Sequence, residues 1–139
     1  MKIIGILVMA LAVLIAVVPQ FYNCQHDGKV LTLANGMQVS MKCFWTAMAA
    51  IATAAPLLGI GLLQMFSRQK ETWRALGMLG GILGVMAIAL PTVLIGVCIH
   101  PDASCNLVMK PALIFMGILT LGLGVASAAM PPKLAVEAA

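Results

Sequence analysis

Four long apolar runs dominate the chain, and short polar segments separate them. The runs cover about residues 3–21, 43–66, 74–98 and 111–130. Each is close to the roughly 20 residues that an α-helix needs to cross the hydrocarbon core of a bilayer. The pattern predicts an all-α integral membrane protein in which residues 1–139 form a single domain, a four-transmembrane-helix bundle with outer loops at 22–42 and 99–110.

The first apolar run has a second interpretation. Lys2, the apolar stretch and Ala10-Leu11-Ala12 together resemble a secretory signal peptide with its cleavage site. The run continues to Val18, however, which is too long for the core of an ordinary signal peptide. We therefore interpret it as a retained transmembrane helix.

Two turn signals lie within the first outer loop. Asp27-Gly28 and Asn35-Gly36 flank the short segment Lys29–Leu33. Dipeptides of this kind are typical of the tight turns that join two antiparallel strands. The loop is therefore predicted to form a small hairpin or a lid over the helix ends.

The composition and the charge agree with a membrane protein. Hydrophobic residues make up 63% of the chain and charged residues 9%, with a mean hydropathy of +1.10, whereas soluble domains have about 25% charged residues. Basic residues are concentrated at Lys2, at Lys133 and in the connection from Arg68 to Arg74. This bias predicts a multi-pass inner-membrane protein with both termini in the cytoplasm. The net charge of +4 is too dispersed for nucleic acid binding.

The interior of the four runs contains no ionisable residue. The polar side chains at depth are those of Thr46, Thr53, Gln64, Thr92, Thr120 and Ser127. Ion-driven transporters and proton channels usually need an ionisable group within the membrane. The sequence therefore argues against a self-sufficient transporter or proton channel.

A Cys-x-His sequence occurs twice, where the first and the third apolar runs break off. The two copies are Cys24-Gln25-His26 and Cys98-Ile99-His100, and a Met-Lys pair opens the following run in each case. This order predicts a two-fold repeat of a helix-loop-helix unit in the same topological direction. All four cysteines and both histidines would then lie on one face of the membrane.

The four cysteines, if they face an oxidising compartment, are expected to form disulfide bonds. They are Cys24, Cys43, Cys98 and Cys105. An even number of cysteines in exported loops usually forms structural bridges, and four cysteines allow three pairings. Cys24–Cys43 and Cys98–Cys105 would tie each loop to itself, whereas a crossed pairing would lock the two halves together. The sequence predicts disulfide-tied extracytoplasmic loops and leaves the pairing open.

Thiol redox catalysis is an alternative use of the same cysteines. Four-helix membrane oxidoreductases that pass electrons from thiols to a quinone also carry two cysteine pairs on their outer face. Their reactive pair is usually Cys-x-x-Cys, because that spacing activates the attacking thiolate. The chain contains no Cys-x-x-Cys, and the sequence therefore favours structural bridges.

A soft-metal site is the second alternative. Cys24, Cys98, His26 and His100 would form a Cys2His2 set if the two loops meet. Copper(I) would also suit the thioethers of nearby methionines, which are Met37, Met41 and Met109. Because oxidised cysteines do not bind a metal, we expect neither a metal nor another cofactor.

Small residues recur at four-residue spacing in the last two runs. They are Gly77, Gly80, Gly81, Gly84, Gly124 and Ala128. Such faces let helix backbones approach closely in a bilayer, where packing must replace the hydrophobic effect. We expect them to pack helices within this bundle, with a homodimer interface as the alternative.

Three segments around the cysteines carry a resemblance to a known family. They are Met41-Lys42-Cys43-Phe44-Trp45-Thr46, Pro91–Cys98 and Cys105–Leu113. They resemble a bacterial family of small four-helix membrane proteins that is catalogued as a domain of unknown function, although that family often has a histidine where Phe44 stands. Its members are often encoded beside ABC transporters with a large extracytoplasmic permease domain. The resemblance covers nearly the whole chain and implies an accessory subunit.

Small size, the lack of a buried charge and the expected bridges together predict a non-enzymatic membrane subunit. It would dock on a larger membrane complex through its glycine-rich helix faces or its disulfide-tied cap. The resemblance implies an ABC-type permease as that complex. The rest of its surface would contact the lipid bilayer, and we expect no nucleic acid partner.

Overall fold

The architecture is that of a computed structural model, which describes residues 2–22, 31–40, 42–67, 69–97 and 105–129. Four α-helices follow one another along the chain: α1 (Lys2–Phe21), α2 (Lys42–Phe66), α3 (Lys70–Ala89) and α4 (Lys110–Ala129). Each lies in a helical span long and apolar enough to cross a membrane. Lipid tails offer no hydrogen-bond partners, and an α-helix pairs its backbone N–H and C=O groups within itself. The chain is therefore an all-α, multi-pass membrane protein.

A π-helical turn adjoins both α3 and α4. The first π turn, Leu90–Leu94, continues α3, and the second π turn, Cys105–Met109, leads into α4. Pro91 has no N–H to donate and so interrupts the regular α-helical ladder. The N–H groups of Ile95 and Gly96 then both donate to the Leu90 carbonyl, at 3.2 and 3.1 Å. Gly96 ends the helix with a φ of +78°, a conformation that side chains disfavour.

Three boundaries differ from those that the apolar pattern predicted, and two of them lie at the π turns. The third helical span starts at Lys70 and ends at Leu94, instead of extending over 74–98. The fourth starts at Cys105, so residues 105–109 are helical and do not belong to an outer loop. The apolar pattern continues past Leu94, so proline and glycine chemistry, not hydropathy, ends the third helix.

A two-stranded hairpin lies between α1 and α2. Strand β1 (Leu31–Thr32) pairs antiparallel with β2 (Gln38–Val39). The turn between them is closed by a hydrogen bond from the Gly36 N–H to the Leu33 carbonyl, at 2.9 Å. Gly36 has a φ of +76°, which explains why the predicted turn uses Asn-Gly. Residues 23–30, which include the other turn signal, lie outside the described residues.

The bundle consists of two helical hairpins, α1–α2 and α3–α4. Contacts are closest within each hairpin and fewer between them. A Cβ atom at Gly61 of α2 would lie 3.0 Å from the Gly5 carbonyl oxygen of α1, and one at Gly84 of α3 would lie 2.7 Å from the Leu121 backbone nitrogen. Only glycine permits this approach of two backbones. Glycine contacts therefore hold both hairpins together.

The core lies where the two hairpins meet. Its large side chains include Ile15 of α1, Leu57 of α2 and Leu113 of α4, all at most 2% exposed. The bulky apolar side chains on the outside, such as Phe66 and Ile82, are 77% and 61% exposed. In a multi-pass membrane protein this outer apolar surface contacts lipid, since lipid tails are as apolar as the side chains.

Candidate functional site

One end of the bundle carries both cysteines that the structure describes. It is the end where α1 and α3 finish and where α2 and α4 begin, and we call it the cysteine end. Cys43 lies in the first turn of α2, and Cys105 opens the second π turn. Both side chains are 0% exposed and belong to one apolar cluster with Ile15 and Met109. The two cysteines lie near each other, so the fold brings together one cysteine from each half of the chain.

The disulfide-tied loops predicted from the sequence are not seen in the described part of the chain. No disulfide bond joins Cys43 to Cys105 there. Cys24 and Cys98 lie outside the described residues. The loop-tying pairings Cys24–Cys43 and Cys98–Cys105 therefore stay predictions.

Hydrogen bonds connect three segments at the cysteine end. Thr46, about one turn after Cys43, is 0% exposed and donates its hydroxyl to the Gly96 carbonyl at 2.8 Å. Gln20, near the end of α1, donates from Nε2 to the Ala47 carbonyl at 3.4 Å. A hydrogen bond gains strength in a low-dielectric interior. The start of α2 is thereby held against the end of α1 and against the residues that follow α3.

The residues proposed as metal ligands are only partly within the described chain. His26, His100 and Met41 lie outside it. Of the two described methionines, Met37 is 65% exposed in the hairpin and Met109 is fully buried below the cysteine end. Among the described residues, no group of three or more histidine, cysteine or acidic side chains is placed to hold a metal ion. All four residues of the predicted Cys2His2 set, Cys24, Cys98, His26 and His100, lie outside the described residues, and the metal site stays a prediction.

Most polar side chains at membrane depth are hydrogen-bonded to nearby backbone. Thr120 donates to the Met116 carbonyl and Ser127 to the Gly124 carbonyl, each at 2.8 Å. Thr53 and Thr92 bond to their own helices in the same way. These hydroxyls satisfy themselves locally, as is common in transmembrane helices. The hydroxyl protons of these four side chains are therefore used in bonds to the backbone of their own helical spans.

Gln64, near the other end of α2, differs from the hydroxyl side chains. It is 2% exposed, and its Oε1 atom has no hydrogen-bond partner among the described residues. A buried amide oxygen without a partner costs free energy. The sequence shows that Gln64 is a polar residue within an apolar run. It does not show which face of the resulting helix is buried.

The predicted helix-packing residues have several different surroundings. A Cβ atom at Gly124 would lie 2.6 Å from the Gly81 backbone nitrogen, so this glycine packs α4 against α3. Gly77 also packs against α4, where a Cβ atom would lie 2.9 Å from the Ala128 backbone nitrogen. Gly80 instead faces α2, where a Cβ atom would be 3.8 Å from Ile60. Much of the glycine pattern is thus used inside one molecule.

A shallow apolar furrow remains on the outer side of α3 and α4. Its volume is about 550 Å³. Buried Gly81 and Gly124 form its floor, and the exposed side chains of Met78, Ile82 and Val125 line its sides. Because these sides are exposed, the furrow opens away from the bundle, toward the bilayer.

Comparison with known protein families places the chain in an uncharacterised one. The family described as a domain of unknown function (DUF4418) matches residues 3–130. No curated protein and no solved structure matches the chain. The matched region includes all of α2, α3 and α4 and nearly all of α1, and therefore both the cysteine end and the furrow.

Proposed function

Given that the chain belongs to the domain-of-unknown-function family DUF4418, we propose that it is a small, non-enzymatic membrane subunit. In this proposal it docks on a larger membrane complex, an ABC-type permease, through the furrow on α3 and α4. The choice of partner rests on the resemblance seen in the sequence, which implies such a transporter. The choice of surface follows from the packing described above.

The furrow is the observation that carries the docking proposal. Gly81 and Gly124 pack α3 closely against α4 and leave the floor between these helices recessed, so side chains of a neighbouring transmembrane helix can pack into it. Met78, Ile82 and Val125 present exposed apolar side chains on either side of that floor. A partner helix would place a ridge of side chains between them.

The polar groups of the helices also support a role without transport chemistry of its own. Charged residues of α3 are confined to its start, at Lys70, Glu71 and Arg74. Deeper in the described helices, the hydroxyl groups donate to backbone carbonyls. An ion or a proton crossing the bilayer would find no ionisable group in the described helix interiors to carry it.

A matched pair of α4 variants tests the docking proposal. Val125→Trp fills the furrow from its side, whereas Leu119→Trp places the same bulk on a different, 41% exposed face of α4. We expect a polytopic permease to co-purify in mild detergent with the wild-type protein and with Leu119→Trp. At least tenfold less permease should co-purify with Val125→Trp.

Two results would contradict the docking proposal. Recovery of the wild-type protein alone from native membranes would remove the subunit role. Equal recovery of the permease with both tryptophan variants would remove the furrow as the docking surface. Both variant proteins should first give the same yield and the same elution volume, so that a folding defect is not mistaken for lost docking.

The proposed subunit has a disulfide-tied cap at the cysteine end, on the extracytoplasmic side, and both termini in the cytoplasm. The proximity of Cys43 and Cys105 supports such a cap. Their complete burial argues for a structural bond and against a catalytic one, because a catalytic thiolate must reach the disulfide of its substrate. This burial therefore argues against Cys43 and Cys105 as the reactive pair of a thiol oxidoreductase.

A further inference from the structure

We propose that Cys43 and Cys105 form a disulfide bond that ties the α1–α2 hairpin to the α3–α4 hairpin. This bond specifies one pairing within the disulfide-tied cap of the proposed subunit. It rests on the proposed function, in which the cysteine end faces the extracytoplasmic side. Of the three pairings open to four cysteines, the fold favours the one that contains this bond. A Cys43–Cys105 bond is incompatible with the bonds Cys24–Cys43 and Cys98–Cys105, which would tie each loop to itself.

The proximity of the two cysteines follows from the packing of their helices. Thr46 holds the first turns of α2 through its hydrogen bond to Gly96. Met109, one turn after Cys105, is fully buried in the same apolar cluster as both cysteines. The helical turns that contain Cys43 and Cys105 are therefore each held by a buried neighbouring residue. Their approach is a property of the core and not of an exposed loop.

The bond would strengthen the weaker contact of the bundle. Glycine contacts hold each hairpin together, whereas contacts between the two hairpins are fewer. A covalent link from α2 to the start of α4 joins the hairpins at the cysteine end. Tying each loop to itself would leave the contact between hairpins unchanged.

The reaction is an exchange of disulfides. Two thiols, of Cys43 and Cys105, and one disulfide of an extracytoplasmic thiol oxidase give the Cys43–Cys105 bond and the oxidase dithiol. Two electrons and two protons pass to the oxidase. Both cysteines are 0% exposed in the folded bundle, so the exchange takes place before the hairpins pack. After packing, the bond is shielded from reductants in water.

A cleavable connection between the hairpins tests the pairing. A site for a specific protease is inserted between Ser67 and Lys70, where α2 and α3 are joined. Cleavage separates Cys24 and Cys43 from Cys98 and Cys105. The double variant Cys24→Ser/Cys98→Ser leaves only the proposed pair, and the triple variant that adds Cys43→Ser is its matched control. Thiols are blocked with N-ethylmaleimide when the cells are lysed.

The double variant is expected to give one band after cleavage on a non-reducing denaturing gel and two bands on a reducing gel. The triple variant should give two bands on both. In the wild-type protein, mass spectrometry of an unreduced digest should find a peptide that joins Cys43 to Cys105. A peptide that joins Cys43 to Cys24 instead would overturn the proposal.

Treatment with iodine separates the proximity of the two thiols from bond formation in the cell. Iodine is small and apolar, and it oxidises two neighbouring thiols to a disulfide with release of two iodide ions and two protons. If reduced membranes of the double variant still give two bands after this treatment, the pairing is wrong. If iodine gives one band but untreated cells give two, Cys43 and Cys105 are neighbours as the fold has them, but they form no bond in the cell, and the proposed bond and the outward, disulfide-tied cap are both wrong.

Discussion

Two buried polar residues, Thr46 and Gln64, have opposite surroundings in α2. Thr46 is fully buried and donates to a carbonyl fifty residues away in sequence, at Gly96. Gln64 is nearly as buried, but its Oε1 atom accepts no hydrogen bond from the described residues. Thr46 thus positions the helix ends around the cysteines. The Oε1 atom of Gln64, buried without a partner among the described residues, costs free energy.

Replacing the amide of Gln64 by an apolar group of similar length should stabilise the fold. Gln64→Met keeps the length of the side chain and removes the unpartnered oxygen, and we expect an increase of about 1 kcal/mol in the free energy of unfolding. Gln69→Met, at an exposed position before α3, is the control and should have little effect. Thermal unfolding in detergent measures both. A loss of stability in Gln64→Met would show that the amide has a stabilising partner in the folded protein.

At the scale of the helices, glycine decides which faces meet. Gly61 of α2 admits α1, while Gly84 and Gly124 bring α3 and α4 together. The spacing of small residues pointed to close packing but did not say which helix each one faces, and Gly80 turns out to face α2. The π turns next to α3 and α4 were likewise not predicted, because hydropathy does not distinguish an α turn from a π turn.

Two glycines of α4 provide a direct test of this packing. A Cβ atom at Gly124 would meet the α3 backbone at 2.6 Å, whereas one at Gly122 would meet nothing within 4 Å. Gly124→Leu should therefore lower the free energy of unfolding by about 2–3 kcal/mol, a typical cost of overpacking. Gly122→Leu should leave it nearly unchanged or raise it slightly. Equal losses in the two variants would mean that α4 does not pack on α3 through Gly124.

At the scale of the whole molecule, both described cysteines lie at one end, and the charge bias predicts that this end faces the outside. The hairpin turn near Asn35 lies on the cysteine side of α2, and Gln69 lies on the opposite side of the bundle. Four spans place these two positions on opposite sides of the membrane, whichever side is outside.

Labelling of single cysteines tests the orientation. In a protein whose four native cysteines are replaced by serine, Asn35→Cys should react with a membrane-impermeant maleimide in intact spheroplasts. Gln69→Cys should react only after the membrane is opened, since the basic connection is predicted to face the cytoplasm. The reverse pattern would place both termini outside. Labelling of both positions in lysed cells is the control for access.

The sequence alone determined that this is a membrane protein with four helices, because transfer of long apolar runs into lipid depends on composition and length and not on the partners of each residue. It also located the Asn35-Gly36 turn, because that turn depends on local backbone conformation. Contacts between segments far apart in the chain decide the rest. They determine which helices pair, that Gln64 is buried and that Cys43 lies near Cys105. Four equally apolar helices can pack in several ways, and only tertiary packing selects one.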